Sequence, residues 1–231
     1  MEEKKRIRKR SYIPSIITLM NLGCGFMAII TADYYKSSIF LLFSLVFDVL
    51  DGFAARKLQA QSELGKELDS LADLISFGVA PAYLYYLLSP VQGWAAMVPP
   101  LIMVLASAWR LAKFNLLPPS PYFSGLPTPA TAMFFIGLFL GMKYESTLIK
   151  DILDNVYAYW AIPLFFSFMM VSTVRMFSLK GINKDMRQNK LQLALLLGLI
   201  ILLLIDNRTA APICILLYII LSLVQSLSNK A

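Results

Sequence analysis

Asp48, Asp51, Asp69 and Asp73 are the residues whose type and spacing point to chemistry, because they lie inside segments otherwise apolar enough to span a membrane. An aspartate near the centre of such a helix costs roughly 2.5–3.5 kcal/mol, so four without compensation would cost about 10 kcal/mol or more. Bound cations are the obvious compensation. On a helix, Asp48, Asp51, Gly52 and Ala55 follow the i, i+3, i+4, i+7 pattern and share one stripe. Asp69 and Asp73 stand one turn apart on the next helix, with Gly65 a turn earlier on the same face. Two helices joined by a short loop can therefore present two carboxylates each to one cavity. Oxygen donors converging in this way suit one or two hard cations, and two metals about 3.5–4 Å apart would clamp a phosphoryl group between attacking and leaving oxygens. Gly52 and Gly65 leave room for a polyphosphate to approach the backbone.

Two other readings of the same acids compete with this one. Structural ion pairs with Arg56, Lys57 and Lys66 at the membrane edge are the blander alternative, but edge pairs do not need four acids on inward-facing stripes interleaved with small residues. A proton or cation pathway, as in a divalent-cation transporter, is the alternative from another functional class. Against it, the later apolar segments carry no comparable acids at depth, and Asp206 falls at the far-side end of the seventh.

The elements that must position these acids follow from composition. The 231-residue chain is 58% hydrophobic and 15% charged, which fits an all-α polytopic membrane protein and excludes an ordinary soluble enzyme. Histidine is absent, so imidazole is excluded as ligand or base and magnesium, manganese or calcium are favoured. Cys24 and Cys214 stand far apart in apolar runs and read as packing residues. The net charge of +7 marks topology and contact with anionic lipid, not nucleic-acid binding.

Apolar runs predict about eight transmembrane helices, over 13–33, 37–57, 66–88, 93–114, 126–142, 156–177, 190–205 and 210–227. The whole of 1–231 reads as one transmembrane domain: a basic segment over 1–12, helices one to six over 13–180, and two C-terminal helices over 181–231. The first apolar run, behind Lys4–Arg10, reads as a retained span because no A-x-A-like cleavage site follows it. Most lysines and arginines collect on one side of this arrangement, which predicts cytoplasmic N- and C-termini and an active-site cavity facing the cytoplasm of a multi-pass cell-membrane protein.

The spacing Asp48-x2-Asp51-Gly52-x2-Ala55-Arg56-x8-Gly65-x3-Asp69-x3-Asp73 resembles the signature of the CDP-alcohol phosphotransferase family, with every fixed position filled. The resemblance implies a transferase that breaks the pyrophosphate of a CDP-linked lipid, passes the phosphatidyl part to an alcohol and releases CMP. By the same analogy Asp48, Asp51, Asp69 and Asp73 are metal ligands for two divalent cations, Mg2+ or Mn2+. Asp73 is also the general base, and Gly52, Ala55, Arg56, Ser62 and Gly65 line the nucleotide and phosphate site. A homodimer is implied as well.

The acceptor must be read elsewhere. Leu68–Asp73 running into Ser76-Phe77-Gly78-Val79-Ala80-Pro81, then Arg110, Lys113, Phe114 and Asn115, then Phe123, Gly125, Pro127 and Pro129, resemble the phosphatidylserine synthase branch of that family. So does Val171-Ser172-x2-Arg175-x2-Ser178-x-Lys180. The substrates so implied are CDP-diacylglycerol, or an ether-lipid analogue, and L-serine. Arg110 and Lys113, three positions apart, are suited to the serine carboxylate, with Arg175 and Asn21 as further candidates, although positive-inside anchoring alone would also place the basic residues there. Glycerol 3-phosphate and inositol phosphate are the alternative acceptors, and their extra phosphate calls for a denser basic pocket.

Overall fold

The computed structural model describes residues 12–116, 123–143, 146–176 and 209–228, with scattered positions between 195 and 206. The basic head, the proline-rich run at 117–122, Ser178, Lys180 and most of the expected seventh helix lie outside the described residues. Helix α1 spans Tyr12–Thr31 and α2 spans Tyr34–Lys57. Ala32 takes a left-handed turn (φ 47°) and the Asp33 carboxylate accepts the Lys36 N–H at 2.9 Å, so the chain reverses in two residues and the helices pack side by side. Their seam is polar at heptad spacing. Ser37 donates to the Ala28 carbonyl (2.7 Å), Ser44 to the Asn21 carbonyl (2.7 Å), and Asp51 accepts from Thr18 (2.6 Å). Small residues let the backbones approach closely, and such interhelical bonds in membranes average about 0.6 kcal/mol each.

A Schellman turn ends α2: the Ala60 N–H reaches the Ala55 carbonyl (3.0 Å), the Gln59 N–H reaches that of Arg56 (3.2 Å), and Gln59 adopts φ 49°. Ser62 then caps α3 (Glu63–Asp73), its Oγ accepting the Gly65 N–H at 3.0 Å. Helical structure continues without a break through a π-helical turn, Leu74–Val79, into α4, Ala80–Leu87. Helix α5 is Trp94–Leu116, α6 Thr128–Lys143, α7 Thr147–Asp154, α8 Val156–Val171 and α9 Ala210–Ser228.

Away from the aspartates the core is aromatic, and prolines organise it. Pro100 has no N–H for the Ala96 carbonyl one turn back, and the Tyr159 hydroxyl donates to that carbonyl at 2.6 Å. Pro163 likewise releases the Tyr159 carbonyl, which accepts from the Tyr85 hydroxyl at 3.1 Å. The two tyrosine rings stack at 4.9 Å with an interplanar angle of 4°.

Tyr12–Thr31, Tyr34–Lys57 and Trp94–Leu116 are long and apolar enough to cross a membrane, and α6 with α7, bent by 111°, would make a fourth span. The chain is thus a mostly helical protein with three to four apolar membrane-spanning helices among the described residues. The structure differs from the sequence reading in three places. The polar stretch after Lys143, expected as a break, contains α7, which buries Ile149 and Leu153. Helix α8 stops at Val171, short of the expected 177, because the chain turns extended at Ser172. Arg175–Met176 (β2) then pairs antiparallel with Phe123–Ser124 (β1), a small exception to the all-α expectation. Gly125, at φ +74°, makes this junction possible: a Cβ there would meet the Met170 carbonyl at 2.5 Å and that of Ser172 at 2.9 Å.

Candidate active site

The cap at Ser62 and the turn before it fold the end of α2 against the start of α3 and bring their acids together. Carboxylate oxygens of Asp48, Asp51 and Asp69 lie within 4.8 Å of one another, Asp51 buried and the other two half-buried. Like charges at that range repel by about 3 kcal/mol per pair at an effective dielectric near 20, so a divalent cation among them reverses an unfavourable arrangement. The all-oxygen donor set fits a hard cation such as Mg2+ or Mn2+.

Beside these acids opens a cavity of about 570 Å3. Helix α1 contributes Pro14, Ser15 and Thr18, and α2 contributes Asp51, Gly52 and Ala55. The loop adds Ala60, Gln61 and Ser62, and α3 adds Glu63, Gly65, Lys66 and Asp69. Gly52, Ala55, Ser62 and Gly65 are therefore wall residues of one cavity. Arg56 is exposed at its edge, with an Nη1 3.4 Å from where a Cβ on Gly52 would sit. Lys57 lies over the Phe53 ring at 5.7 Å, and Lys66 Nζ donates to the Asn115 carbonyl at 2.6 Å, tying α3 to the end of α5.

Asp73 sits one turn further along α3 and is buried, immediately before the π-helical turn. Its Oδ1 accepts from Asn21 Nδ2 at 3.2 Å. Asn21 is itself fully buried and its Oδ1 accepts from Ser44 at 2.5 Å, while its backbone carbonyl accepts from Ser44 and, at 3.0 Å, from Ser76. Helix α1 packs hard against the π turn: any side chain on Gly25 would run into Ser76. The serine-site candidates are dispersed in character. Arg110 is buried, with Nη1 donating to Thr128 Oγ1 at 3.0 Å; Lys113 is exposed; Arg175 is exposed on β2; Asn21 lies inside the helix seam.

Thr18, Ser44 and the π turn escaped the sequence reading, and Ser76 entered it only as part of a motif, without its contact to α1. A signal for the first two existed in the heptad spacing of Ser37, Ser44 and Asp51 opposite Thr18 and Asn21, which becomes informative once α1 and α2 are known to pair antiparallel.

The sequence profile of the CDP-alcohol phosphatidyltransferase family matches residues 11–166, and the chain belongs to that family. It is 42% identical over 147 residues to the CDP-diacylglycerol–serine O-phosphatidyltransferase of Methanocaldococcus jannaschii, covering 64% of this chain and 69% of the relative. The enzyme of the same description from Bacillus subtilis is 38% identical over 60% of this chain and 80% of its own length. The archaetidylserine synthase of Methanothermobacter thermautotrophicus is 32% identical over 63% of this chain and 65% of its own.

Proposed function

We propose that this chain is a phosphatidylserine synthase: it transfers the phosphatidyl group of CDP-diacylglycerol to the hydroxyl of L-serine and releases CMP. The observation that carries the chemistry is the convergence of Asp48, Asp51 and Asp69 at the wall of an open cavity, with a fourth acid, Asp73, held by Asn21 one turn away. The acceptor assignment is supported by the relatives' own names.

Asp48, Asp51, Asp69 and Asp73 would hold two divalent cations, Mg2+ or Mn2+, which supply charge neutralisation for the donor pyrophosphate. Gly52, Ala55, Ser62 and Gly65 leave space for that pyrophosphate along the cavity wall, and Arg56 reaches it from the rim. The lipid tails stay in the bilayer against the apolar outer faces of α1 and α2. Asp73 takes the proton from the serine hydroxyl as its oxygen bonds to the phosphorus of the phosphatidyl group, and the bond from that phosphorus to the CMP oxygen breaks. Arg110 and Lys113 stand where α5 meets α3 and would bind the serine carboxylate, with Arg175 as a further cation. The lysine–arginine asymmetry supports a cytoplasmic cavity mouth, an eight-span cell-membrane topology and both termini inside.

The archaetidylserine synthase among the relatives supports a second donor, the CDP ether-lipid analogue. Membranes carrying the chain are given CDP-diacylglycerol or its ether analogue, one alcohol, and Mg2+ or Mn2+. Serine-dependent CMP release with a phosphatidylserine product is expected. A lipid product only with glycerol 3-phosphate or inositol phosphate would overturn the acceptor, and cation flux into liposomes without CMP release would favour a transporter.

A further inference from the structure

The hydrogen-bond network around Asn21 reaches further than the roles above require. Asn21 is fully buried, so a soluble acceptor has no path to its side chain in this arrangement, yet its amide touches the acid assigned as the base. The amide presents Nδ2, its donor, to Asp73 and leaves Oδ1, its acceptor, for Ser44, which donates to it. The same serine also reaches the Asn21 backbone carbonyl, and Ser76, on the π turn that follows Asp73, donates to that carbonyl too. One residue of α1 is thereby fastened to α2, to the π turn and to the carboxylate itself.

We propose that Asn21 is a positioning residue for Asp73: it holds Oδ1, fixes the plane of the carboxylate and leaves Oδ2 as the oxygen that receives the acceptor's proton. Ser44 acts behind it by fixing which way the amide points. The idea rests on the proposed reaction and assigns Asn21 a different task from contact with serine. Geometry of this kind matters because a misplacement of about 1 Å can cost roughly 100-fold in rate.

The test uses the full chain in lipid nanodiscs with CDP-diacylglycerol, Mn2+ and varied L-serine, following CMP release. Asn21→Leu keeps the side-chain volume and removes the donor. Its kcat should fall roughly 10- to 100-fold with the serine KM within about threefold of the parent. Mn2+ binding, read by electron paramagnetic resonance without substrates, should stay within about threefold, because all four acids are retained. An unchanged kcat overturns the proposal, and a loss confined to the serine KM overturns it in favour of direct serine contact. Should Asn21→Leu fail to fold, Ser44→Ala decides: a kcat lowered by about 3- to 10-fold at constant KM supports the proposal, and parental kcat overturns it. A parent that releases no CMP with serine defeats the functional reading, and the proposal with it; an active parent beside an unimpaired variant defeats the proposal alone.

Discussion

The aspartate cavity and the proline–tyrosine core place polar groups in an apolar body by opposite means. In the core, two carbonyls released by prolines each meet a hydroxyl: Ala96, freed by Pro100, with Tyr159, and Tyr159, freed by Pro163, with Tyr85. Both of these carbonyls have their donor within the fold, and the stacked rings are fully buried. In the cavity, three carboxylates are held within 4.8 Å of each other, an arrangement of like charges that a metal ion could balance. These paired groups in the core contribute stability. The cavity gathers carboxylates that could hold a metal ion, in a family that is metal-dependent in general.

Substitutions at the two places should therefore read out differently, and the largest effects belong to the acids. Asp69→Asn should abolish measurable CMP release and weaken Mn2+ binding, while melting temperature without metal stays level or rises as repulsion is relieved. Asp73→Asn should weaken Mn2+ binding less than Asp69→Asn does, because Asp73 lies outside the cluster of three, and should lower turnover by about 10²- to 10⁴-fold, the usual share of a general base. Equal turnover in Asp73→Asn and the parent would remove Asp73 from the proton transfer and blur the contrast between its role and that of the three clustered acids.

Next in size is the contact that joins the regions. A leucine at Gly25 would run into Ser76 and displace the π turn, at a cost of about 1–3 kcal/mol for an overpacked interior, together with lost turnover because Asp73 directly precedes that turn. Full activity in Gly25→Leu would show that the π turn does not set the position of Asp73. Tyr159→Phe tests the core alone. It strands the Ala96 carbonyl, which Pro100 cannot serve, and should cost about 1–3 kcal/mol in chemical denaturation with kcat per folded molecule unchanged. In a Pro100→Ala background the restored N–H can take that carbonyl, so the same substitution should cost less, and a double-mutant cycle measures the difference.

The cavity was the more legible of the two regions. Helical phase alone puts Asp48, Asp51, Gly52 and Ala55 on one stripe, and the short loop turns Gly65 and Asp69 toward the same cavity, while Asp73, expected there too, is buried one turn beyond it against Asn21. The holders of those acids were hidden, because Thr18 and Ser44 look like ordinary packing residues until a partner helix is placed beside them. The π turn was hidden because Leu74-Ile75-Ser76-Phe77-Gly78-Val79 has the composition of any membrane helix. Proline announces a released carbonyl, but which tyrosine reaches it depends on tertiary approach. Helix α7 escaped because Leu148, Ile149, Ile152 and Leu153 make a short amphipathic pattern inside a polar stretch.

Ser37 offers the finest division between stability and positioning, because it repeats the Ser44 contact one heptad farther from the acids. Its hydroxyl donates to the Ala28 carbonyl at 2.7 Å, and that carbonyl also accepts from the Ala32 N–H at 3.4 Å, so nothing is stranded when the hydroxyl is removed. Ser37→Ala should cost only about 0.6 kcal/mol, a typical value for an interhelical bond in a membrane, with parental kcat and KM. Ser44→Ala removes a similar bond from the same seam and should lower kcat, because its partner is the residue that holds Asp73. Equal loss of turnover in both would mean that the α1–α2 seam acts as one mechanical unit. Loss in Ser44→Ala alone would locate the positioning of Asp73 in the Asn21 amide, where the α1–α2 seam meets the acids.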